Sequence, residues 1–285
     1  MNKIKYRLML VLFGISLFRL QAQIALSDGV TATQSFINEI IKNYNDENSY
    51  PFDLEAIPIS VGIPIRVHII KNINGLNGVA LTDVYQSISV ANGYFKNIGI
   101  QFFVDSVNYV NDYNYACITN NHLKTELLTR FMAANRINLF LADSVKLGAA
   151  RSYGYTYFPD TPDSNLIFLD KKYAAGKYVT TLLGHFMGLL STHETRGGAE
   201  LVSGKNCATS GDFICDTYAD PDLYDQVDST CTYTGTSMDS NGKYFVPSVA
   251  NIMSNTTDHC KCIFTPLQYR RMYYYFLKYR QYLKH

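Results

Sequence analysis

TTLLGHFMGLLSTHE, residues 180–194, is the stretch that decides how the rest of the chain is read. Leu182, Leu183, Phe186, Met187, Leu189 and Leu190 surround a helical axis almost completely, so the pattern predicts a buried helix over 177–190. One imidazole, His185, lies within it, and Gly188 follows three residues later. In the zinc-binding spacing His-Glu-x-x-His-x-x-Gly-x-x-His, two histidines one turn apart share a helix face and reach one ion. The glutamate of that spacing acts as base toward metal-bound water, and the glycine lets the chain turn so that a third histidine closes the site. His185 and Gly188 match the second histidine and the glycine.

The remaining positions do not match. Without a gap, Thr181 and Leu182 stand where the first histidine and the glutamate belong, and Ser191 stands at the third histidine. With a gap, the run reads as Thr-Thr-Leu-x-His-Glu-x-Gly-His that has lost three consecutive residues. The gapped register is preferred, because one in-frame deletion accounts for more than two substitutions do. Under both registers no carboxylate precedes His185 within a turn, so the base is missing. A rebuilt metal site would draw on His193, eight residues on, or on His259, and Glu194 lies beyond the turn. The bland reading of His185 is a buried histidine hydrogen-bonded to a neighbour.

Outside the helix the chain carries an ordered series of short motifs: IPIRVHII at 63–70, INLFL at 137–141, Asn206-Cys207, GDFICDT at 211–217, ADP at 219–221, CTY at 231–233, NIMS at 251–254, and the run from Cys260 to Gln268. From about Ile63 to Lys284 this series resembles the pappalysin-like metallopeptidases of the metzincin clan, the group that includes cytophagalysin and ulilysin. The resemblance implies an α/β (α+β) metzincin-like fold, with a mixed twisted sheet, backing and active-site helices, and an irregular disulfide-held C-terminal subdomain ending in a helix. It implies that Met253 is the methionine of a Met-turn, an apolar floor under the metal site. Asn255 occupies the place of a tyrosine that stabilises the family's transition state.

The resemblance also implies disulfides Cys207–Cys231 and Cys215–Cys260, and leaves Cys117 and Cys262 unassigned. Asp212, Asp216, Thr217 and Asp220 resemble a calcium-binding stretch of some relatives, and hard oxygen ligands on a flexible loop suit that ion. An acidic surface loop with Asx-turns is the plainer reading. With the first histidine, glutamate, third histidine and tyrosine all replaced, the expected function is an exported homologue without hydrolytic activity. Its former substrate cleft would bind a polypeptide or serve as scaffold, with zinc not retained. The alternative is an active secreted zinc endopeptidase with a rebuilt site, or a damaged copy of one.

Length and charge set bounds. The 285 residues are enough for one large core or two modest subdomains. With 25 basic against 24 acidic residues there is no global field to attract nucleic acid or an anionic membrane. MNKIKYRLMLVLFGISLFRLQAQ has basic residues, a short apolar run and a small-residue site near Ala22, the form of a secretory signal peptide over 1–22. The run is too short for a membrane span and is broken by Arg19. In an exported protein six cysteines favour disulfides over metal thiolates. Some relatives silence the zinc with a pro-segment cysteine, and none lies between Gln23 and Pro58.

The chain therefore divides into a helical, pro-like segment at 23–57 and a peptidase-fold domain at 58–285, split into subdomains 58–190 and 191–285. Apolar periodicity predicts a helix over 35–44, a polar linker over 43–51, strands at 63–70, 99–104, 137–142, 153–158 and 166–169, and helices from Thr82 as cap and over 125–134. Thr265-Pro266 predicts the N-terminus of a last helix, with its tyrosines packed and its Arg and Lys residues solvated.

Overall fold

The computed structural model describes residues 28–53, 61–119, 123–148, 150–161 and 165–285; the expected signal peptide lies outside them, as does part of the 23–57 segment. Strands β1 (Val61–Lys71), β2 (Ile100–Asn111), β4 (Ile137–Ala142) and β8 (Leu166–Asp170) run parallel, and β7 (Gly154–Thr156) closes one edge antiparallel to β8. The order is β2-β1-β4-β8-β7. Both faces of the central strands are covered, which is why β4 and β8 are apolar at nearly every position. Period-two alternation divides their side chains. Ile63, Ile65, Val67, Ile69, Leu139 and Leu141 join the core formed with α2 (Leu81–Phe95) and α4 (Tyr178–Phe186), while Phe140, Ala142 and Phe168 face a second cluster. That second cluster sits against α3 (Leu123–Phe131) and the small sheet of β3 (Cys117–Thr119), β5 (Ser144–Leu147) and β6 (Ala150–Ser152). The expected mixed α/β architecture is present, with β7 as a short antiparallel edge strand.

Several boundaries move. Helix α1 spans Gln34–Ser49, so most of the expected linker is helical; its Asn43 and Glu47 point inward, and a polar residue with a buried partner reads as loop when seen alone. Ala80 holds the N-cap position of α2 without a side-chain bond, and Thr82 lies inside the first turn. Helix α4 ends at Phe186, four residues early, because Gly188 takes φ 98° and turns the chain. A Cβ at Gly188 would meet the Tyr275 ring at 2.9 Å. Helix α5 (Pro266–Tyr275) begins as expected, with a reciprocal capping box between Thr265 and Gln268. Its basic face is not all solvated: Arg271 is fully buried on Glu47, and Arg280, in the wide turn after the helix, lies over the Phe186 ring at 3.8 Å.

Residues 191–265 hold isolated bridges and turns in place of long elements. The two disulfides there are Cys207–Cys215 and Cys231–Cys260, not the expected Cys207–Cys231 and Cys215–Cys260. Local turns explain the exchange. Backbone bonds from Cys207 to Gly204, Thr209 to Asn206 and Phe213 to Ser210 coil the chain so that Cys215 returns to Cys207, with Cα atoms 5.0 Å apart. Cys231, at φ 62°, sits in a tight turn built on the Asp228 carboxylate, and this turn presents it to Cys260. Cys117 and Cys262 remain thiols.

Candidate functional site

Helix α4 carries His185 into the interior, where the ring is 0% exposed. Its Nδ1 donates to the Leu189 carbonyl at 2.7 Å, a bond made possible by the turn at Gly188. Its Nε2 lies 3.4 Å from Oδ2 of Asp28, outside hydrogen-bonding geometry. Beneath the helix lies Met253, whose sulfur approaches so closely that a Cβ on Gly184 would stand 2.7 Å from it. Asn251 holds this turn through its carboxamide, which accepts from Met253 N and is locked to Gln268.

One turn before His185, the Thr181 hydroxyl donates to the Ile252 carbonyl at 3.2 Å, and Leu182 is wholly buried. Lys261, only 4% exposed, donates to the same carbonyl at 3.0 Å and to Thr181 Oγ1 at 3.4 Å. Burial pushes the Lys261 ammonium down to about 8, and the charges of Asp28 and Asp258 oppose that push. Burial pulls Asp28 upward, yet the charge and contact of His185, followed by Lys261 and His193, outweigh it and hold the carboxyl at about 2. Asp28 therefore remains a carboxylate beside His185 in the interior. Tyr153 adds a hydroxyl 3.3 Å from its Oδ2.

The remaining expected ligands do not converge. Ser191 is buried, and Asn255 donates to Asp222 at 2.8 Å. Glu194 accepts from the N–H groups of Thr195 and Arg196 in its own loop. His193 opens into a cleft of ≈ 490 Å³ lined also by Glu200, Asp220 and Asp222. His259 is exposed beside Cys260. Among the described residues, the one group of three His, Cys, Asp or Glu side chains close enough to share an ion is Cys231, His259 and Cys260, and the two cysteines are joined to each other. The donor set around His185 thus does not fit zinc: one imidazole, already bonded at Nδ1, with a threonine and a leucine at the neighbouring positions.

The acidic loop is better suited to a hard cation, though not with the expected four ligands. Both oxygens of Asp216 are occupied at the N-terminus of α5, by Thr265 Oγ1 and Leu267 N. Asp220 accepts from Thr192 Oγ1 and Asp222 N, and Thr217 donates to Asp212 Oδ1 and the Ile214 carbonyl. Two buried oxygens have no hydrogen-bond partner: Oδ2 of Asp212 and Oε2 of Glu200. Burial, then the charges of Asp212 and Asp220, raise Glu200 to about 8; burial raises Asp212 to about 7 against the opposing charge of Arg271. Sequence reasoning missed Glu200, Lys261 and Asp28. Glu200 and Asp28 lie in no recognisable motif, Lys261 lies within the run from Cys260 to Gln268 without a signal of its own, and each acquires its partners only through tertiary contact.

No family model matches the chain. It is 27% identical over 239 residues to an extracellular metalloprotease of Sordaria macrospora, covering 78% of this chain and 76% of that protein. It is 26% identical to an extracellular metalloprotease of Podospora anserina, covering 85% and 82% respectively. Among solved structures, mirolysin in complex with a compound superposes with a TM-score of 0.52 at 18% identity, covering 75% of this chain and 90% of that one. The match to mirolysin establishes a common fold.

Proposed function

We infer that this chain, which belongs to the pappalysin-like metallopeptidase family its ordered motifs resemble, is an exported, non-hydrolytic member whose cleft binds polypeptide. The observation that carries this reading is the environment of His185. Its Nδ1 is bonded to Leu189, its Nε2 faces a carboxylate of the same chain, and Thr181 and Leu182 line the preceding turn. A zinc hydrolase needs three or more ligands and a base next to the bound water. Kinship to extracellular metalloproteases supports export, and no helix among the described residues is long and apolar enough to cross a membrane. The close packing of Met253 beneath α4, with its turn held by Asn251, supports retention of the family's site as a shape.

Zinc content of the purified full chain, measured beside peptide hydrolysis with and without a chelator, tests the reading. Sub-stoichiometric zinc and no chelator-sensitive cleavage are expected. Near-stoichiometric zinc with cleavage would establish the alternative, a site rebuilt from His185 and His193.

A second reading concerns the acidic loop. The unpartnered, buried oxygens of Glu200 and Asp212 favour a structural calcium ion held by these two side chains. Calcium titration followed by thermal melting tests it, and a melting point that does not respond to calcium would remove it.

A further inference from the structure

The two disulfides of the C-terminal subdomain differ in what surrounds them. Nε2 of His259 lies 3.4 Å from Sγ of Cys260, and the ligand atoms of Cys231, His259 and Cys260 all fall within 4.8 Å of one another. Cys207 and Cys215 belong to no such group among the described residues; a polar neighbour of Cys215 is the Tyr44 hydroxyl at 3.6 Å. Tetrahedral zinc holds thiolate sulfur at about 2.3 Å and imidazole nitrogen at about 2.0–2.1 Å, which puts a sulfur and a nitrogen ligand roughly 3.6 Å apart and two sulfurs roughly 3.8 Å apart. The His259–Cys260 distance already approaches the first of these values. The second needs only that the Cys231–Cys260 bond open and its sulfurs separate.

Hydrogen bonds independent of the disulfide hold both sulfurs in place. Asp228 Oδ1 accepts from Thr230 N and Thr232 N, each at 2.9 Å, and Cys231 N donates to the Asp228 carbonyl at 3.1 Å. Cys260 N donates to the Thr257 carbonyl at 3.1 Å, and the next residues are fixed by the Ala250 carbonyl, which accepts from Cys262 N at 2.7 Å and Ile263 N at 3.0 Å. The Thr257 hydroxyl donates to Cys260 Sγ at 3.4 Å. Cys231 is partly exposed and His259 exposed, so a small reductant and an ion can both reach the pair. Two thiolates and an imidazole are a soft to borderline donor set, which suits zinc and not calcium or magnesium.

We propose that Cys231, Cys260 and His259 form a zinc site closed by its own disulfide: reduction by a dithiol opens it, and the two thiolates and the His259 imidazole then take up one ion, with water in the fourth position. In the opening step the cystine accepts two electrons and two protons and becomes two thiols, while the dithiol leaves as its cyclic disulfide. Zinc then displaces both thiol protons to solvent. The site shares no ligand with the surroundings of His185 and holds no ion while the disulfide is intact, so the zinc content inferred above for the oxidised chain is unaffected.

The experiment uses the full chain with Cys117→Ser and Cys262→Ser, which removes the two free thiols. It is reduced with dithiothreitol, desalted without oxygen and titrated with cobalt(II) as the probe. One equivalent is expected to produce a sulfur-to-cobalt charge-transfer band and the visible bands of a tetrahedral ion, both absent from the oxidised chain. One equivalent of zinc should remove them, because zinc binds such donors more tightly than cobalt. His259→Ala, which leaves the disulfide untouched, should weaken cobalt binding about tenfold, whereas Cys207→Ser combined with Cys215→Ser should leave the bands as they are. Equal bands in the oxidised chain, bands that survive Cys231→Ser with Cys260→Ser, or unchanged affinity in His259→Ala would each overturn the proposal. Near-ultraviolet circular dichroism of the tyrosines follows the fold throughout, and a reduced chain that loses this signal and does not regain it with cobalt overturns the proposal as well.

Discussion

Nε of Arg271 lies 2.8 Å from Oε1 of Glu47, with the two side chains 0% and 3% exposed. The guanidinium also donates to the carbonyls of Asp212 and Phe213, so one side chain ties α1, α5 and the acidic loop together. Phe36 of α1 reinforces this by stacking on Phe158 at 4.3 Å. The N-terminal helix is thus part of the core, whatever its ancestry.

Removing the carboxylate tests how much that connection contributes. Glu47→Ala leaves a buried guanidinium without its counter-charge, and breaking such a pair typically costs about 3–5 kcal/mol. The expected result is a large drop in the urea midpoint of the full chain with an unchanged slope. A midpoint within error of the parent would place α1 outside the cooperative unit.

The contact between α4 and Met253 gives a second prediction. Gly184→Ala forces a methyl group against the Met253 sulfur, since the added Cβ would stand 2.7 Å from it. Overpacking of this kind costs about 1–3 kcal/mol. Met253→Ala alone opens a cavity beneath α4, at about 2–5 kcal/mol. The double variant should lose less than the sum, because the new methyl fills part of the space the thioether vacates. Strict additivity in the cycle would show that the two residues do not share a void.

How much of this was legible beforehand follows from how local each feature is. The central strands, the cap of α5 and the burial of α4 rest on periodicity or on residues within one turn, and the structure has all of them. That Thr181, Leu182 and Ser191 are neither histidine nor glutamate is equally local, readable in one helix and its turn. What was not legible depends on distance in sequence. Asp28 reaches His185 across most of the peptidase domain, Glu47 finds Arg271 from the other end of the chain, and Lys261 gains its character from the carbonyl of Ile252 and the hydroxyl of Thr181. The disulfides failed for the opposite reason: two short turns override the pairing that family resemblance implied.

The acidic loop gives a prediction whose sign depends on calcium. Glu200 and Asp212, raised to about 8 and about 7, bind more protons in the folded chain than in the unfolded one between pH 5 and those values. Without metal, stability therefore falls as pH rises through that window, at up to roughly 1.4 kcal/mol per pH unit for each group. Bound calcium neutralises both and should flatten the slope while raising the melting point. Glu200→Gln should also flatten the metal-free slope and abolish the response to calcium. A slope that is the same in the parent and the variant would show that Glu200 titrates as it does in the unfolded chain.

His68 produces the opposite dependence. It lies wholly buried in β1, stacked on Phe140 at 4.2 Å; Nε2 donates to Asn138 Oδ1 at 3.2 Å and Nδ1 accepts from Asn108 Nδ2 at 3.1 Å. Both bonds suit the neutral ring, since Nδ1 must keep its lone pair. Burial lowers the ring from 6.5 to about 4; the Asn138 bond works against that, and the charge of Arg66 adds to it. The unfolded chain accordingly binds the extra proton first. The stability His68 contributes is complete above pH 6.5 and is lost as pH falls toward 4, by up to about 3 kcal/mol. Because Glu200 and Asp212 gain stability over part of the same range, the informative quantity is the difference between the parent and His68→Phe, followed by urea melts from pH 7 to pH 4. The variant starts lower, having lost two hydrogen bonds, and the gap should narrow steadily on acidification. A gap that stays constant would mean that the ring is protonated in the folded chain as readily as in the unfolded one.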